Sequence, residues 1–335
     1  METIRLVVAL AAQRGWSIYQ LDLKFAFLYG DLNEEVFVEQ SCGYVQKGHE
    51  QKVYKLKKAL DGLNHAPCAW YSRIEPYFMK EGFEKRDYEH TLFIKRGKEA
   101  KVLIVSLYVN DLMFTGNNEL MLTEFKNSMK NEFDITDLGK MRYFLGFEVL
   151  QKFSGIFISQ KKYALEVLKW FGMDKSNSVH NSIVPVCKLM KDEDGINANK
   201  TYYKQVVGSL NYLTATRLDM MFVVSLISRY MENPTEQQKR VIRYLKGTTG
   251  FRTFYRKGGD DDDFVAYTDS DYAGDLDEKK RTSGYVFLVS FGAVSWSSKK
   301  QPMVSLSSTE SEFICSFMCM SGSMVKKELE KLGQN

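Results

Sequence analysis

Asp22 stands alone among apolar residues in Gln20-Leu21-Asp22-Leu23-Lys24-Phe25-Ala26-Phe27-Leu28. A lone carboxylate inside a strand-like apolar run is costly unless it is paired or holds a metal ion. A second carboxylate, Asp111, lies in Tyr108-Val109-Asn110-Asp111, between the apolar runs Val102–Leu107 and Leu112–Phe114. That pattern predicts strand, tight turn and strand, with Asn110 and Asp111 at the turn tip. Asn-Asp is also ordinary hairpin chemistry, because both residues tolerate left-handed backbone. The residues by themselves leave the metal and turn readings open.

The elements that must position these acids follow from periodicity. Thr3 to about Ala12 reads as an apolar helix that stops at Arg14-Gly15. Strands and helices then alternate to about Val149, and a turn and strand around Phe153–Gln160 lead into a helix from Lys161 to Phe171. Asp174 to Lys200 is Asn/Ser/Asp-rich and reads as a linker or exposed loop. Helices are predicted from about Tyr202 to Tyr212, Asp219 to Tyr230 and Thr235 to Gly247. The four adjacent acids Asp260–Asp263 repel one another and mark a solvated boundary rather than a metal cage. Beyond them come strands at Phe264–Asp269, Gly284–Val289 and Ala293–Ser297. Ser307 to Glu310 is a capping box that opens a helix running to about Leu332.

Composition bounds the class. The 335 residues suffice for two or more domains, and 44% hydrophobic with 26% charged content is that of a globular chain. A net charge of +4, from 46 basic and 42 acidic residues, permits nucleic-acid binding without arguing for it. The five cysteines (Cys42, Cys68, Cys187, Cys315, Cys319) are scattered; Cys315 and Cys319 could share a helix face, but no His lies near to complete a zinc site. Reduced structural thiols are expected. No apolar run is long enough to span a bilayer and no signal pattern opens the chain, so a soluble protein of cytosol or nucleus is expected.

The order and spacing of several motifs are more specific than any one of them. After the Asp22 segment comes Lys55-Leu56-Lys57-Lys58-Ala59-Leu60-Asp61-Gly62-Leu63-Asn64-His65-Ala66-Pro67-Cys68-Ala69-Trp70-Tyr71, then Tyr108–Asp111. Asp137-Leu138-Gly139, Tyr143–Glu148, Val207–Leu213 and Arg243–Thr248 follow in turn. This series closely resembles the reverse transcriptase of copia-type retrotransposons. The segment Thr268 to Phe313 similarly resembles the opening of that family's ribonuclease-H domain.

The resemblance implies an α+β fold: a polymerase palm-like antiparallel sheet with flanking helices, a helical connection, and an incomplete ribonuclease-H-like α/β domain. It divides the chain at 1–173 (reverse transcriptase), 174–259 (linker and helical connection or thumb) and 260–335 (ribonuclease-H-like). It implies RNA-directed DNA polymerisation by two-metal nucleotidyl transfer, with Mg²⁺ or Mn²⁺ as cofactor. Template-primer RNA/DNA and deoxynucleotide triphosphates would be the partners, and the source a plant. The implied catalytic residues are Asp22, Asn110, Asp111, Asp269 and Glu312, and the implied metal ligands Asp22, Asp111, Asp269 and Glu312.

This chain departs from the family at telling positions. The family carries a carboxylate where Asn110 stands, so one unit of negative charge is lost where two dications must sit close together. Adjacent side chains in extended backbone point to opposite faces, so Asp111 is not expected to substitute fully. Phe27 stands where such polymerases place an aromatic against the incoming sugar, and reads equally as a core Phe. His65 occupies the place of a family Gln that touches the nucleotide. Asn64 and Cys68 replace a Lys and an Arg, which should weaken phosphate binding. Trp70 and Tyr71 are expected to pack rather than stack on bases. Glu310 reads as a helix cap and Asp271 as a solvated loop residue. The family's next acid lies on a strand beyond the last helix, and the Phe264–Asp269 strand is expected to keep an unpaired edge. Three functions remain: an impaired polymerase, a nucleic-acid-binding remnant without catalysis, and a decayed element fragment.

Overall fold

The computed structural model describes residues 1–86, 89–183, 199–231, 237–258, 264–270, 280–289, 292–305 and 307–321. Cys187, the Asp260–Asp263 tract and Asp271 lie outside them, as do most of the expected linker and the last helix beyond 321. By contacts the chain forms two compact units, Trp16–Met141 and Met1–Gly15 with Arg142–Asn335.

The chain opens with α1 (Glu2–Arg14), which ends where Gly15 turns left-handed. The Trp16–Met141 unit then runs β1 (Ile18–Leu23), a short 3-10 turn (Ala26–Tyr29), β2 (Phe37–Val38), β3 (Tyr54–Lys55), α2 (Ala66–Lys80), β4 (Glu84–Lys85), β5 (Leu92–Arg96), β6 (Val102–Tyr108), β7 (Asp111–Gly116), α3 (Glu119–Glu132) and β8 (Ile135–Lys140). Six of these strands form one antiparallel sheet in the order β4-β5-β6-β7-β1-β8. Helix α2 turns Trp70, Ile74, Tyr77 and Phe78 onto the sheet, and α3 turns Leu122, Phe125 and Met129. These spacings are those of one helical face. They meet Leu21, Leu23, Leu103, Val105, Leu107, Leu112 and Phe114 from the strands in one core. Gly30, after the 3-10 turn, lets the chain cross α2 closely: a Cβ there would lie 2.6 Å from the Ala69 carbonyl carbon. That crossing fixes α2 against the end of β1.

The other unit combines α1 with β9 (Tyr143–Phe144), β10 (Phe147–Lys152), β11 (Gly155–Ser159), α4 (Lys161–Trp170), α5 (Lys200–Leu213), α6 (Leu218–Ser228), α7 (Gln237–Gly247), β12 (Thr253–Arg256), β13 (Phe264–Ser270), β14 (Thr282–Val289), β15 (Gly292–Lys300) and α8 (Ser308–Ser321). Two antiparallel sheets result, β12-β11-β10-β9 and β13-β14-β15. Helices α4 to α7 share a core built on Val167, Tyr203, Leu210, Val223 and Leu245. Among the described residues β13 pairs with β14 alone, which leaves its other edge free. The backbone N–H of Glu310 donates to Ser307 Oγ at 3.1 Å, so the expected Ser307 cap opens α8.

Arg5 ties α1 into this unit. The register of β15 against β14 shifts by a bulge at Phe287/Leu288 that skips Val294. A bulge leaves a residue unpaired in the ladder. Here the Val294 carbonyl accepts from Arg5 Nε at 2.7 Å, while Arg5 Nη1 donates to the Ala215 carbonyl at 2.7 Å. The guanidinium lies 3.9 Å from the Trp296 ring centroid, and burial pulls its pKa below the usual arginine value. Lysine lacks the planar fork for two separate carbonyls. Arg5→Lys should therefore lower stability by about 2 kcal/mol in urea unfolding, the scale of one charge-assisted hydrogen bond. An unchanged midpoint would show that the bulge carbonyl needs no such partner.

Candidate active site

Strand register brings the two sequence-predicted carboxylates together. Asp22, next to last in β1, is the direct cross-strand partner of Asp111, first in β7. Residues directly opposite in an antiparallel pair point to the same face, and like charges placed so are destabilising. Asp111 shows the effect: burial pushes its carboxyl pKa up, and the Asp22 charge pushes the same way, opposed by a hydrogen bond from Gln20.

Two side-chain amides meet these carboxylates. Asn110 Nδ2 donates to Asp22 Oδ1 at 2.8 Å, and Gln20 Nε2 donates to Asp111 Oδ1 at 3.1 Å. The orientation of each amide follows from its acceptor, since a carboxylate has no proton to give. Gln20 was visible in the sequence but carried no expectation. Its position two residues before Asp22 puts it on the same strand face, which is the signal that finds it.

The turn differs from the expected one. Tyr108 pairs with Asp111, so the two loop residues are Val109 and Asn110, and Asp111 belongs to the strand. The left-handed residue is Val109, at φ 55°, and neither Asn110 nor Asp111. Because Asn110 sits in the loop, strand alternation does not govern it. Its side chain and that of Asp111 converge on Asp22 instead of pointing to opposite faces. A β-branched residue at positive φ is strained and persists only where its surroundings hold it. Both loop carbonyls are held: Trp70 Nε1 donates to Val109 O at 2.7 Å, and the Leu23 N–H donates to Asn110 O at 2.8 Å. Trp70 is 2% exposed and packs edge-on to Phe133 at 5.5 Å. It packs, as expected of it, and its N–H also fixes the turn, a role that residue type alone did not reveal.

The remaining expected site residues fall elsewhere. Phe27 lies in the 3-10 turn, not on a strand, and is partly buried against the core. His65 is exposed at the start of α2, with Nε2 3.3 Å from Glu34 Oε2. Tyr71 donates its hydroxyl to the His90 carbonyl at 2.6 Å. In the other unit, Asp269 on β13 and Glu312 on α8 are both exposed. The contacts between these two elements are made by other groups: the hydroxyls of Ser270 and Ser311 share a hydrogen bond, and Cys315 Sγ donates to Asp269 O at 3.1 Å. Gln301 seals the junction, its Nε2 donating to Ser283 Oγ at 2.8 Å and Ser311 O at 3.1 Å. Asp269 also borders a cavity of about 320 Å³ lined by Leu218, Phe222, Tyr267 and Tyr285. Among the described residues no group of three or more His, Cys, Asp or Glu is arranged to hold a metal ion. No described helix is long and apolar enough to cross a membrane.

An antiparallel sheet with paired carboxylates at one hairpin and helices packed on it agrees with what comparison finds. The family model "Reverse transcriptase (RNA-dependent DNA polymerase)" matches residues 1–186. The chain belongs to the reverse transcriptase family, among the Pol polyproteins of copia-type retrotransposons. It is 36% identical over 94% of its length to the retrovirus-related Pol polyprotein from transposon TNT 1-94 of Nicotiana tabacum, covering 24% of that protein. To the corresponding polyprotein from transposon RE1 of Arabidopsis thaliana it is 37% identical over 93% of this chain and 21% of that one. An uncharacterized mitochondrial protein of Arabidopsis thaliana is 34% identical over 62% of this chain and 87% of its own. The chain thus spans about a quarter of the Pol polyproteins it resembles.

Trp70→Phe keeps the ring packing but leaves the Val109 carbonyl without the indole N–H. Urea unfolding should show a loss of about 1–2 kcal/mol, the penalty for an unsatisfied buried acceptor. Equal stability of the two proteins would remove Trp70 as the anchor of the turn.

Proposed function

We propose that this chain is the polymerase part of a retrotransposon Pol polyprotein, acting on RNA/DNA template-primer and deoxynucleotide triphosphates, with nucleotidyl transfer impaired at Asn110. The observation that carries the reading is the 2.8 Å hydrogen bond from Asn110 Nδ2 to Asp22 Oδ1. Oxygen donors from Asp22 and Asp111 suit a hard divalent ion, Mg²⁺ or Mn²⁺. Such an ion supplies charge stabilisation at the displaced phosphoryl oxygens. The residues present fit one ion held by that pair and do not fit two. At Asn110 a family carboxylate is replaced by an amide whose N–H₂ satisfies Asp22 internally.

In this reading Phe27 and His65 flank the incoming nucleotide, and Asp269 and Glu312 are remnants of a second, ribonuclease-H-like centre. The division at 1–173, 174–259 and 260–335 follows function by motif, and differs from the two units defined by contacts. The amide bond equally favours a second reading, a palm that binds nucleic acid without catalysis.

Primer extension on an RNA template with Mg²⁺ or Mn²⁺ separates the two. The native chain should extend poorly and Asn110→Asp should raise extension by a factor of about 100 or more, the scale of a lost electrostatic contact at a reacting centre. Extension by the native chain equal to that of Asn110→Asp would refute the impairment. Silence of both, with intact folding, would leave binding alone.

A further inference from the structure

The exposed face of the β12-β11-β10-β9 sheet carries an arrangement that the catalytic turn does not use. Register aligns two rows across three strands. Leu150, Phe157 and Phe254 are successive cross-strand partners, and so are Lys152, Gly155 and Arg256. The opposite face, with Val149, Ile156, Ile158 and Tyr255, is buried. The outward row is therefore not core: Leu150 is 41% exposed and Phe254 37%. Phe157 and Phe254 stack at 4.3 Å between centroids and 21° between planes. Lys152 Nζ lies 5.8 Å from the Phe157 ring. At the hairpin tip Phe153 is 90% exposed, with Lys257 Nζ 4.6 Å from its ring.

Gly155 keeps the second row open. Its φ is +143°, and a Cβ there would meet Tyr255 O at 2.1 Å and Phe254 Cε2 at 2.9 Å. Between the cations of Lys152 and Arg256 there is consequently bare backbone, beside a stacked aromatic pair. Glu148, the acid on the same strand face, is engaged by the backbone N–H of Lys162. An apolar partner would leave the two cations desolvated, and an acidic peptide would leave the rings unused. A base with its phosphate uses both, since stacking on aromatics beside a cationic track is how single strands are held.

We propose that this face binds single-stranded nucleic acid, with a base against the Phe157–Phe254 pair and a phosphate over Gly155 between Lys152 and Arg256. The surface stands apart from nucleotidyl transfer and does not rest on the catalytic turn being competent. Fluorescence anisotropy of the full chain with labelled oligothymidylate and oligouridylate tests it. Phe254→Leu should weaken binding roughly tenfold, the scale of one lost base stack. Arg256→Glu, at an exposed position that does not threaten folding, should weaken it similarly and reduce the salt slope by about one. The charge-matched Lys98→Glu, also exposed, should bind as the native chain does. A preference between the two oligonucleotides assigns the strand as DNA or RNA, and either supports the site. The proposal is overturned if the native chain binds neither oligonucleotide, if Phe254→Leu and Arg256→Glu bind like the native chain, if Lys98→Glu costs as much, or if polyglutamate competes equally well.

Discussion

Two carboxylates are placed face to face across neighbouring strands, and the rest of the Trp16–Met141 unit answers that repulsion. Asp22 and Asp111 share a register position, and each accepts a hydrogen bond from an amide instead of a cation. An amide dipole stabilises a carboxylate less than an opposite charge does, which agrees with the raised pKa direction at Asp111. Asn110 thus does two opposing things. It satisfies Asp22 without an ion, and it withholds the third negative charge that would draw ions in.

Holding such a pair requires a rigid frame. The frame is the short hairpin between β6 and β7, clamped at Val109 O by Trp70 and at Asn110 O by β1. Trp70 is itself fixed by Phe133 and Tyr29 and by the close crossing allowed at Gly30. Local strain at Val109 is thereby supported by the packing of α2, so the geometry of the turn depends on a helix far from it in sequence.

Much of this was legible in the residues. The apolar runs flanking Asn110 and Asp111, the interruption at Asp22 and the Ser307 cap gave the strands and the helix start closely. The two-residue loop was misplaced by one position, because turn propensity favours Asn and Asp over Val at positive φ. The ladder register, set by packing of β1, β6 and β7, overrode that preference. The donation by Trp70 Nε1 and the bulge that turns Val294 O to Arg5 were not legible, since each joins segments distant in sequence through one side-chain atom. Gln20 was legible by strand period alone. The exposed aromatic row on β10, β11 and β12 needed the cross-strand register, which a sequence does not carry.

The most direct test of the central claim is the thermal midpoint of the native chain and of Asn110→Asp during titration with Mn²⁺. An ion that binds only the folded state stabilises it by about 2.7 kcal/mol at roughly a hundred times its Kd. With Asp22 already satisfied by Asn110, the native chain should show little shift. Asn110→Asp should start less stable and rise steeply with Mn²⁺. A native chain that rises as steeply as Asn110→Asp would mean the amide does not stand in for the ion, and the account of this site would be wrong.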